Sequence, residues 1–303
     1  MLTGTEIDKA FQEYRRLWAL TEERKILTPV PLHLDIELTN VCNLKCKMCW
    51  QSEFLSYPKG YMEYDQYTKI IDEAVRAGVK AIKLQSRGEA MLHPRIIDAI
   101  RYAKEHGILD VQITTNATLL TEDTWQRLLE SGLDMLNFSL DTSHKDSFAE
   151  LNKEVPYSDV IKNVKGFLEM RKKMTAKKPY VKIQVARSDS PDGIAIRRQV
   201  DAIASLADKI MENPVFILHE DQAERSSAAQ ASPCRMLWQR MVINYDGIVT
   251  PCCRDYNCLN EMGNINRDSL ESIWLGKAFS NMRELHVKGM RSKIPVCDTC
   301  EIS

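Results

Sequence analysis

The sequence lacks any long apolar run. No stretch approaches the roughly 18 apolar residues that a membrane-spanning helix needs. The charged first residues, MLTGTEIDKAFQEYRRLW, also lack the apolar centre of a secretory signal peptide. These absences predict a cytoplasmic protein without a membrane partner. Disulfides are rare in that reducing compartment, so the nine cysteines are expected to bind metal or to serve catalysis.

A charge excess of either sign is also missing. The chain has 41 basic and 42 acidic residues, which gives a formal net charge of −1. Nucleic-acid-binding proteins usually carry a basic excess or patch, so no nucleic-acid partner is predicted. The 303 residues include 44% hydrophobic ones, and such a chain can bury a core without disulfides.

Strand-like and helix-like segments alternate through most of the chain. Residues 1–30 predict a leader helix, because apolar residues recur there at helical spacing. About six β-α units follow in residues 31–221, too few for a closed eight-unit barrel. The alternation predicts an α/β fold, a partial (β/α)6 barrel with parallel strands and outer helices. Its last unit is predicted as a helix at 196–209 and a strand at 215–218.

Residues 222–303 do not continue this alternation. The turn Asn244-Tyr245-Asp246-Gly247 lies between two short apolar runs and predicts a hairpin, since Asp-Gly favours tight turns. A helix is predicted from Ser269 to His286, with Asp268 or Ser269 as its N-cap. These features predict a small C-terminal α+β domain that begins near residue 222.

Three cysteines follow the first predicted strand closely, in the spacing Cys42-x3-Cys46-x2-Cys49. Thiolates so near one another in a loop can converge on one metal centre. Zinc usually takes four ligands and no fourth Cys or His lies nearby, so a zinc site with a distant ligand is the second interpretation. Three cysteines on a four-iron cubane leave one iron free to bind a small molecule.

This CxxxCxxC loop after the first strand of a partial barrel resembles the signature of the radical S-adenosylmethionine (SAM) superfamily. The resemblance covers nearly the whole chain. It implies a 4Fe–4S cluster whose open iron binds SAM, and an external electron donor such as flavodoxin or ferredoxin. Cleavage of SAM would then give a 5′-deoxyadenosyl radical that takes a hydrogen atom from the substrate, so the cofactor carries the hard chemistry.

The resemblance also implies a set of SAM contacts at successive strand ends. Met48 would pack the adenine, and the turn Ser86–Glu89 would meet the SAM amino group, with Arg87 replacing the first Gly of the family turn. Asn116 matches a ribose contact. Taken singly, such residues could also be ordinary loop caps. The predicted SAM-binding residues are Met48, Gly88, Glu89, Asn116, Ser139 and Asp141.

A second set of cysteines lies towards the C-terminus: Cys234, Cys252, Cys297 and Cys300. Four thiolates complete the ligand set of a closed 4Fe–4S cluster or of tetrahedral zinc, and spacing leaves both open. The region resembles the shortened, twitch form of the SPASM auxiliary-cluster domain. The sequence ends three residues after Cys300. The resemblance therefore implies one auxiliary cluster, and two 4Fe–4S clusters in total.

Three further residues are candidates for catalysis. Cys253 and Cys258 are left over from the ligand set, and either could donate a hydrogen atom, replace Cys252 as a ligand or be a plain buried cysteine. Arg187 could bind a substrate hydroxyl but is a poor base because it stays protonated. A surface salt bridge is the alternative for Arg187. Weaker candidates for the pocket lining are His93, Asp189, Glu220 and Arg254.

The architecture resembles dehydrogenases and epimerases of aminocyclitols and sugars, and also peptide-modifying maturases. A 30-residue leader is too short for a peptide-recognition domain of roughly 80 residues, which favours a small polar substrate such as a carbohydrate. Dehydrogenation and epimerisation remain equally open. The alternatives are a peptide epimerase or thioether synthase, a non-catalytic iron–sulfur electron-transfer protein, and a metal-binding scaffold.

Overall fold

The computed structural model describes residues 4–24, 26–46, 49, 51, 56–140, 156–187, 191–214, 232–298 and 300. Within these residues nine strands form one sheet. The strands are β1 (His33–Ile36), β2 (Ala81–Lys83), β3 (Asp110–Thr115), β4 (Met135–Ser139), β5 (Tyr180–Arg187), β6 (Lys209–Pro214), β7 (Arg240–Ile243), β8 (Ile248–Thr250) and β9 (Gly263–Asn264).

Helices separate the first six strands along the chain. Helix α1 (Gly4–Glu22) precedes β1. The helices between the strands are α2 (Tyr64–Ala77), α3 (Ile96–Glu105), α4 (Glu122–Leu129), α5 (Tyr157–Lys173) and α6 (Pro191–Asp201). Strands β1 to β6 are neighbours in chain order, and all their pairings are parallel. The predicted α/β fold with an open, partial barrel is therefore confirmed.

The sheet has one apolar and one polar face. In β3, the buried Val111 and Ile113 alternate with the half-buried Gln112 and Thr114. The buried side chains join one core with apolar residues of the outer helices, such as Phe167. Side chains alternate across a strand, so the half-buried residues face away from these helices. We call this side of β1 to β6 the inner face.

Helix α1 packs beside the N-terminal ends of β1 and β2. Tyr14 and Leu32 form a small apolar cluster with Ala81, and Trp18 packs against it. The guanidinium of Arg240 lies 5.4 Å from the centre of the Trp18 ring. The predicted leader helix is thus present, and it ends at Glu22 within the predicted span of 1–30.

The C-terminal part of the chain extends the same sheet. Strand β7 pairs in parallel with β1, and β8 and β9 continue it as antiparallel strands. The predicted hairpin at 244–247 is confirmed, with Gly247 at φ 90°. The remaining helices of this part are α7 (Met236–Gln239), α8 (Leu270–Trp274) and α9 (Lys277–Val287). The fully buried Trp274 donates from Nε1 to the carbonyl oxygen of Thr28 at 2.9 Å.

Two predicted elements were wrong in their bounds. The helix predicted at 269–286 is divided into α8 and α9, because Gly276 adopts an extended conformation between them. The predicted Ser269 cap is present, and it accepts from the backbone N–H of Ser272 at 3.1 Å. The helix predicted at 196–209 ends at Asp201, and Lys209–Pro214 forms a strand because it pairs with β5. The strand predicted at 215–218 lies outside the described residues.

Among the described residues, none of the helices combines the length and apolarity needed to cross a bilayer.

Candidate functional site

The loop that carries Cys42, Cys46 and Cys49 is anchored before its first cysteine. Thr39 donates to the carbonyl oxygen of Gly60 at 2.7 Å, and its hydroxyl accepts from the N–H of Val41 at 3.0 Å. Asn40 bonds the backbone of Pro58 and Gly60, at 2.7 and 2.8 Å. Both Thr39 and Asn40 are buried, so these bonds fix the path of the chain out of β1.

The three thiols of this loop are half-buried and suited to bind as thiolates. Burial raises the pKa of Cys42 to about 11, and the N–H of Leu44, which bonds the sulfur, acts in the opposite direction. Burial also raises the pKa of Cys49, again opposed by a backbone N–H, that of Gln51. A metal must displace the thiol proton, and N–H donors stabilise the resulting charge on sulfur. The donor set therefore fits an iron–sulfur cluster.

The turn after β2 packs backbone to backbone against the cysteine loop at Gly88. A Cβ atom on Gly88 would lie 2.3 Å from the carbonyl oxygen of Thr39 and 2.6 Å from that of Val41. The N–H of Glu89 donates to the Val41 carbonyl at 2.9 Å. Only glycine allows this approach, so the turn and the loop hold each other in place.

The carboxylate of Glu89 joins the β2 turn to the end of β3. One oxygen accepts from Thr115 Oγ1 at 2.7 Å and from the N–H of Met91 at 2.9 Å, and the other accepts from the N–H of Asn116 at 2.8 Å. Burial raises the pKa of Glu89, and these hydrogen bonds oppose the shift. The carboxylate is thereby held in a fixed position near the cysteine loop.

Asn116 connects β3 with the cysteine loop through two residues that sequence reasoning missed. Its Nδ2 donates to Asn43 Oδ1 at 3.0 Å, and its Oδ1 accepts from Thr118 Oγ1 at 2.6 Å. Asn43 Nδ2 donates back to Thr118 Oγ1 at 2.8 Å, which closes the network. Asn43 directly follows Cys42 in the sequence, and this position beside a predicted cluster ligand could have marked it as a site residue.

Arg87 makes a buried ion pair that reaches from the barrel to the C-terminal part. Its Nε lies 2.7 Å from Glu37 Oε2, and its Nη2 lies 2.5 Å from Glu37 Oε1. Its Nη1 donates to the carbonyl oxygen of Tyr256 at 2.7 Å, and its guanidinium lies 4.4 Å from the centre of the Tyr57 ring. Arg87, which stands where the family turn has glycine, thus hydrogen-bonds to the backbone of the cysteine-rich C-terminal part.

Cys253 and Cys258 lie in different surroundings. The thiol of Cys258 is 3.8 Å from Arg87 Nη1. Burial raises the pKa of Cys258 to about 11, opposed by the charge of Arg87 and a bond to Tyr57. Burial also raises the pKa of Cys253, and the charges that act on it include those of Asp35 and Lys83. Because Asp35 and Lys83 are register partners on β1 and β2, Cys253 lies towards the inner face.

The thiols of the C-terminal set influence one another electrostatically. Burial raises the pKa of Cys297 to about 12, and the neighbouring charges include those of Cys234 and Cys300. The pKa of Cys252 is raised well above its ordinary value by burial and by charges that include Cys234 and Cys297. These four cysteines therefore lie near one another and could share one cluster.

Two buried residues of α9 and the turn after it support this set. The backbone N–H of Cys234 donates to His286 Nδ1 at 3.1 Å, so this nitrogen carries no proton. Arg291 donates from Nη2 to the carbonyl oxygen of Cys300 at 3.0 Å. Its charge lowers the pKa values of Cys234 and Cys297 against the effect of burial. A permanent cation beside these thiols suits thiolate ligands.

Tyr256 lies near cysteines of both sets. The charges that act on its hydroxyl include those of Cys253, Cys49 and Cys252. Among the described residues no group of three His, Cys, Asp or Glu side chains is gathered closely enough for one metal ion. A zinc ion draws four sulfurs to about 2.3 Å from itself, whereas the cysteines of a cubane each bind a different iron. The cysteines lie farther apart than one zinc ion would require, and this spacing is compatible with iron–sulfur clusters.

The other predicted residues are only partly described. Met48 and Asp141 lie outside the described residues, as do Asp189 and Glu220. Ser139 ends β4 on the inner face, paired in register with Gln184. Arg187 ends β5, and its side chain is not among those described.

His93 has a structural environment. It is buried, and its Nε2 bonds the carbonyl oxygen of Met62 at 3.0 Å. Its other ring nitrogen accepts from the N–H of Arg95 at 3.3 Å. Both nitrogens are therefore occupied by backbone groups.

Family comparisons agree with these two cysteine sites. Residues 36–176 match the radical SAM superfamily, and residues 234–301 match SPASM, an iron–sulfur cluster-binding domain. The chain has a radical SAM domain followed by a SPASM domain. Radical SAM domains bind a 4Fe–4S cluster and SAM, and SPASM domains bind further iron–sulfur clusters.

Two curated relatives match the radical SAM chain over part of their length. One is the tungsten-containing aldehyde ferredoxin oxidoreductase cofactor-modifying protein of Pyrococcus furiosus, 31% identical over 50% of this chain and 43% of that protein. The other is the probable GTP 3′,8-cyclase of Methanocaldococcus jannaschii, 29% identical over 58% of both chains. The matched segments span about half of these relatives.

Two solved structures share the fold of this radical SAM chain. BtrN in complex with AdoMet and 2-DOIA has a TM-score of 0.60 and 19% identity, over 88% of this chain and 92% of that one. Streptococcus suis SuiB bound to S-adenosylmethionine has a TM-score of 0.59 and 20% identity, over 99% of this chain and 79% of that one. At these identities the likeness concerns the fold alone.

Replacing Arg87 should destabilise the protein strongly. Arg87→Met leaves the carboxylate of Glu37 buried without its cation, so we expect the free energy of unfolding to fall by about 3–5 kcal/mol. Anaerobic urea unfolding of the metal-free protein measures this. The double variant Glu37→Gln with Arg87→Met should regain part of the loss. A loss below about 1 kcal/mol, the size of an exposed pair, would contradict a buried ion pair.

A side chain at Gly88 should disturb the cysteine loop. Gly88→Ala places a methyl group against the carbonyl oxygens of Thr39 and Val41, so the loop must shift. We expect SAM affinity, measured by anaerobic calorimetry on the reconstituted protein, to fall about 10–100-fold. Gly78→Ala is a control for strain alone: its φ of 90° strains alanine, but nothing lies within 4 Å of its Cβ position, so it should leave SAM affinity unchanged. Equal losses of SAM affinity in the two variants would refute the role of the backbone contact at Gly88.

Proposed function

We propose that this radical SAM enzyme removes a hydrogen atom from a small polar substrate, sugar-like or aminocyclitol-like, and so dehydrogenates or epimerises it. The observation that supports this best is the inner face. Its half-buried side chains on β3 to β5 are almost all polar: Gln112, Thr114, Asn137, Ser139, Lys182 and Gln184. Hydrogen-bonding groups in such number suit a hydroxylated molecule better than an apolar one.

Each cofactor has a proposed set of residues in this chain. Cys42, Cys46 and Cys49 would hold the first cluster, and the C-terminal set would hold one auxiliary cluster: Cys234, Cys252, Cys297 and Cys300. The proposed SAM contacts are Met48, Gly88, Glu89, Asn116, Ser139 and Asp141. When bound, the first cluster and SAM supply the 5′-deoxyadenosyl radical that abstracts the hydrogen atom.

The chain's own residues would position the substrate below the cysteine loop. The carboxyl ends of β1 to β4 lead into that loop, the Glu89 turn, Asn116 and Ser139, so these groups lie at one rim of the barrel. The packing of α1 beside the N-terminal ends of β1 and β2 supports entry from the opposite, carboxyl-end rim. Arg187 at the end of β5 would bind a substrate hydroxyl at this rim.

Cys253 and Cys258, which lie outside the proposed ligand sets, differ in how well their surroundings suit a hydrogen-atom donor. We favour Cys253 over Cys258, because Cys253 lies near the inner-face residues Asp35 and Lys83. In an epimerisation, the thiol would give a hydrogen atom to the substrate radical, and the thiyl would regain one electron from the external donor and one proton from solvent. In a dehydrogenation the thiol would stay unused.

Isotope labelling of products tests this function. The reconstituted protein is incubated in deuterated water with SAM, a reductant and a panel of aminocyclitols and sugars. Substrate-dependent 5′-deoxyadenosine is expected, and the triple variant Cys42, Cys46, Cys49→Ala should form none. A product with one solvent deuterium indicates epimerisation, and a product lighter by two hydrogens indicates dehydrogenation.

The thiol variants then assign the donor. If epimerisation occurs, Cys253→Ala should still form 5′-deoxyadenosine but take up no deuterium, whereas Cys258→Ala should keep the uptake. The opposite result would move the role to Cys258. Formation of 5′-deoxyadenosine with peptides but with no compound of the panel would overturn the small-substrate proposal and favour a peptide maturase.

A further inference from the structure

Two lysines of the inner face have no close acidic partner among the described residues. Lys83 ends β2, Lys182 lies within β5, and both are half-buried. No described residue makes an ion pair or a hydrogen bond with either ammonium group. A half-buried cation without a partner is costly, and this makes a bound anion a natural counter-charge.

The acidic groups of the same face have nearer partners and act on the two lysines only at longer range, Asp35 on Lys83 and Asp110 on Lys182. Asp35 lies 3.4 Å from Arg240 Nη1 and 3.3 Å from His33 Nε2. Asp110 accepts from Gln112 Nε2 at 2.7 Å. The third acid, Glu37, forms the bidentate pair with Arg87 described above. Asp35 is balanced by Arg240 and Glu37 by Arg87, so among the described residues Asp110 alone remains against Lys83, Lys182 and Lys209, and the net charge of this face is positive.

The strand register places a third cation and a free acceptor around Lys182. Lys182 pairs in register with Lys209 on β6 and with Asn137 on β4. Burial lowers the pKa of Lys182, the like charge of Lys209 adds to this shift, and the charge of Asp110 opposes it. The buried Oδ1 of Asn137 has no hydrogen-bond donor among the described residues. Such an oxygen can accept from a substrate hydroxyl.

We propose that the substrate of this enzyme is an anionic polyol, whose phosphate or carboxylate binds Lys83 and Lys182 while a hydroxyl donates to Asn137. This proposal rests on the proposed function, because it assigns the inner face to the substrate. It narrows the substrate class from any small polar molecule to one that carries a negative charge. Ammonium groups bind phosphate and carboxylate alike, so both chemistries must be compared.

Anaerobic calorimetry on the reconstituted protein with SAM bound tests the proposal. The probes are inorganic phosphate, citrate and the uncharged myo-inositol. We expect phosphate or citrate to bind, and the stronger of the two identifies the charged group. Lys83→Gln and Lys182→Gln should each raise its dissociation constant about tenfold or more, as expected for a lost hydrogen bond to a charged group. Lys182→Arg should retain binding because it keeps the charge.

The matched control is Lys173→Gln at the exposed end of α5, which removes the same charge away from the inner face. It should leave anion binding unchanged. The proposal is overturned if neither anion binds, or if the inner-face variants behave like this control. Iron content and circular dichroism show whether each variant folds. Formation of 5′-deoxyadenosine in the same samples reports on the proposed function separately, since SAM cleavage can persist while anion binding fails.

Discussion

The close approach of two backbone segments at Gly88 is the constraint on which the first site depends. It places the turn after β2 directly against the carbonyl groups that precede Cys42. Glu89 and Asn116 extend this contact to the end of β3 and to Asn43. These bonds from the rigid sheet fix the backbone beside Cys42 and so help to determine where the thiols of the cysteine loop lie. Function is commonly carried by loops held in this way.

The second constraint couples the cysteine-rich C-terminal part to the barrel. Strand β7 continues the sheet beside β1, and Arg87 bonds both Glu37 and the backbone of Tyr256. Both contacts join the C-terminal part to the barrel and so fix the position of its cysteine set relative to the first set. The hydroxyl of Tyr256 is influenced by the charges of both sets. A substitution of Arg87 should therefore disturb both cysteine sets.

Much of this arrangement could be predicted from the sequence because its signals are local. The β-α alternation, the Asp246-Gly247 hairpin and the short cysteine spacings each occupy a few neighbouring residues. The roles of Arg87 and Glu37 could not be predicted, because their pairing joins positions 50 residues apart. The same holds for the polar inner face, which emerges only when the register aligns Asn137 with Lys182. Strand β6 was missed because its pairing with β5, rather than its own pattern, defines it.

The central claim is that this chain holds two clusters, of which only the first has an iron open to SAM. Electron paramagnetic resonance of the anaerobically reconstituted and reduced protein, with and without SAM, tests this most directly. We predict about eight irons per chain, as two cubanes require, and two signals of which SAM shifts one. The shifted signal should be absent in the Cys42, Cys46, Cys49→Ala variant, while the other persists. Two signals that SAM leaves unshifted, or a protein that binds zinc instead of iron, would contradict the account.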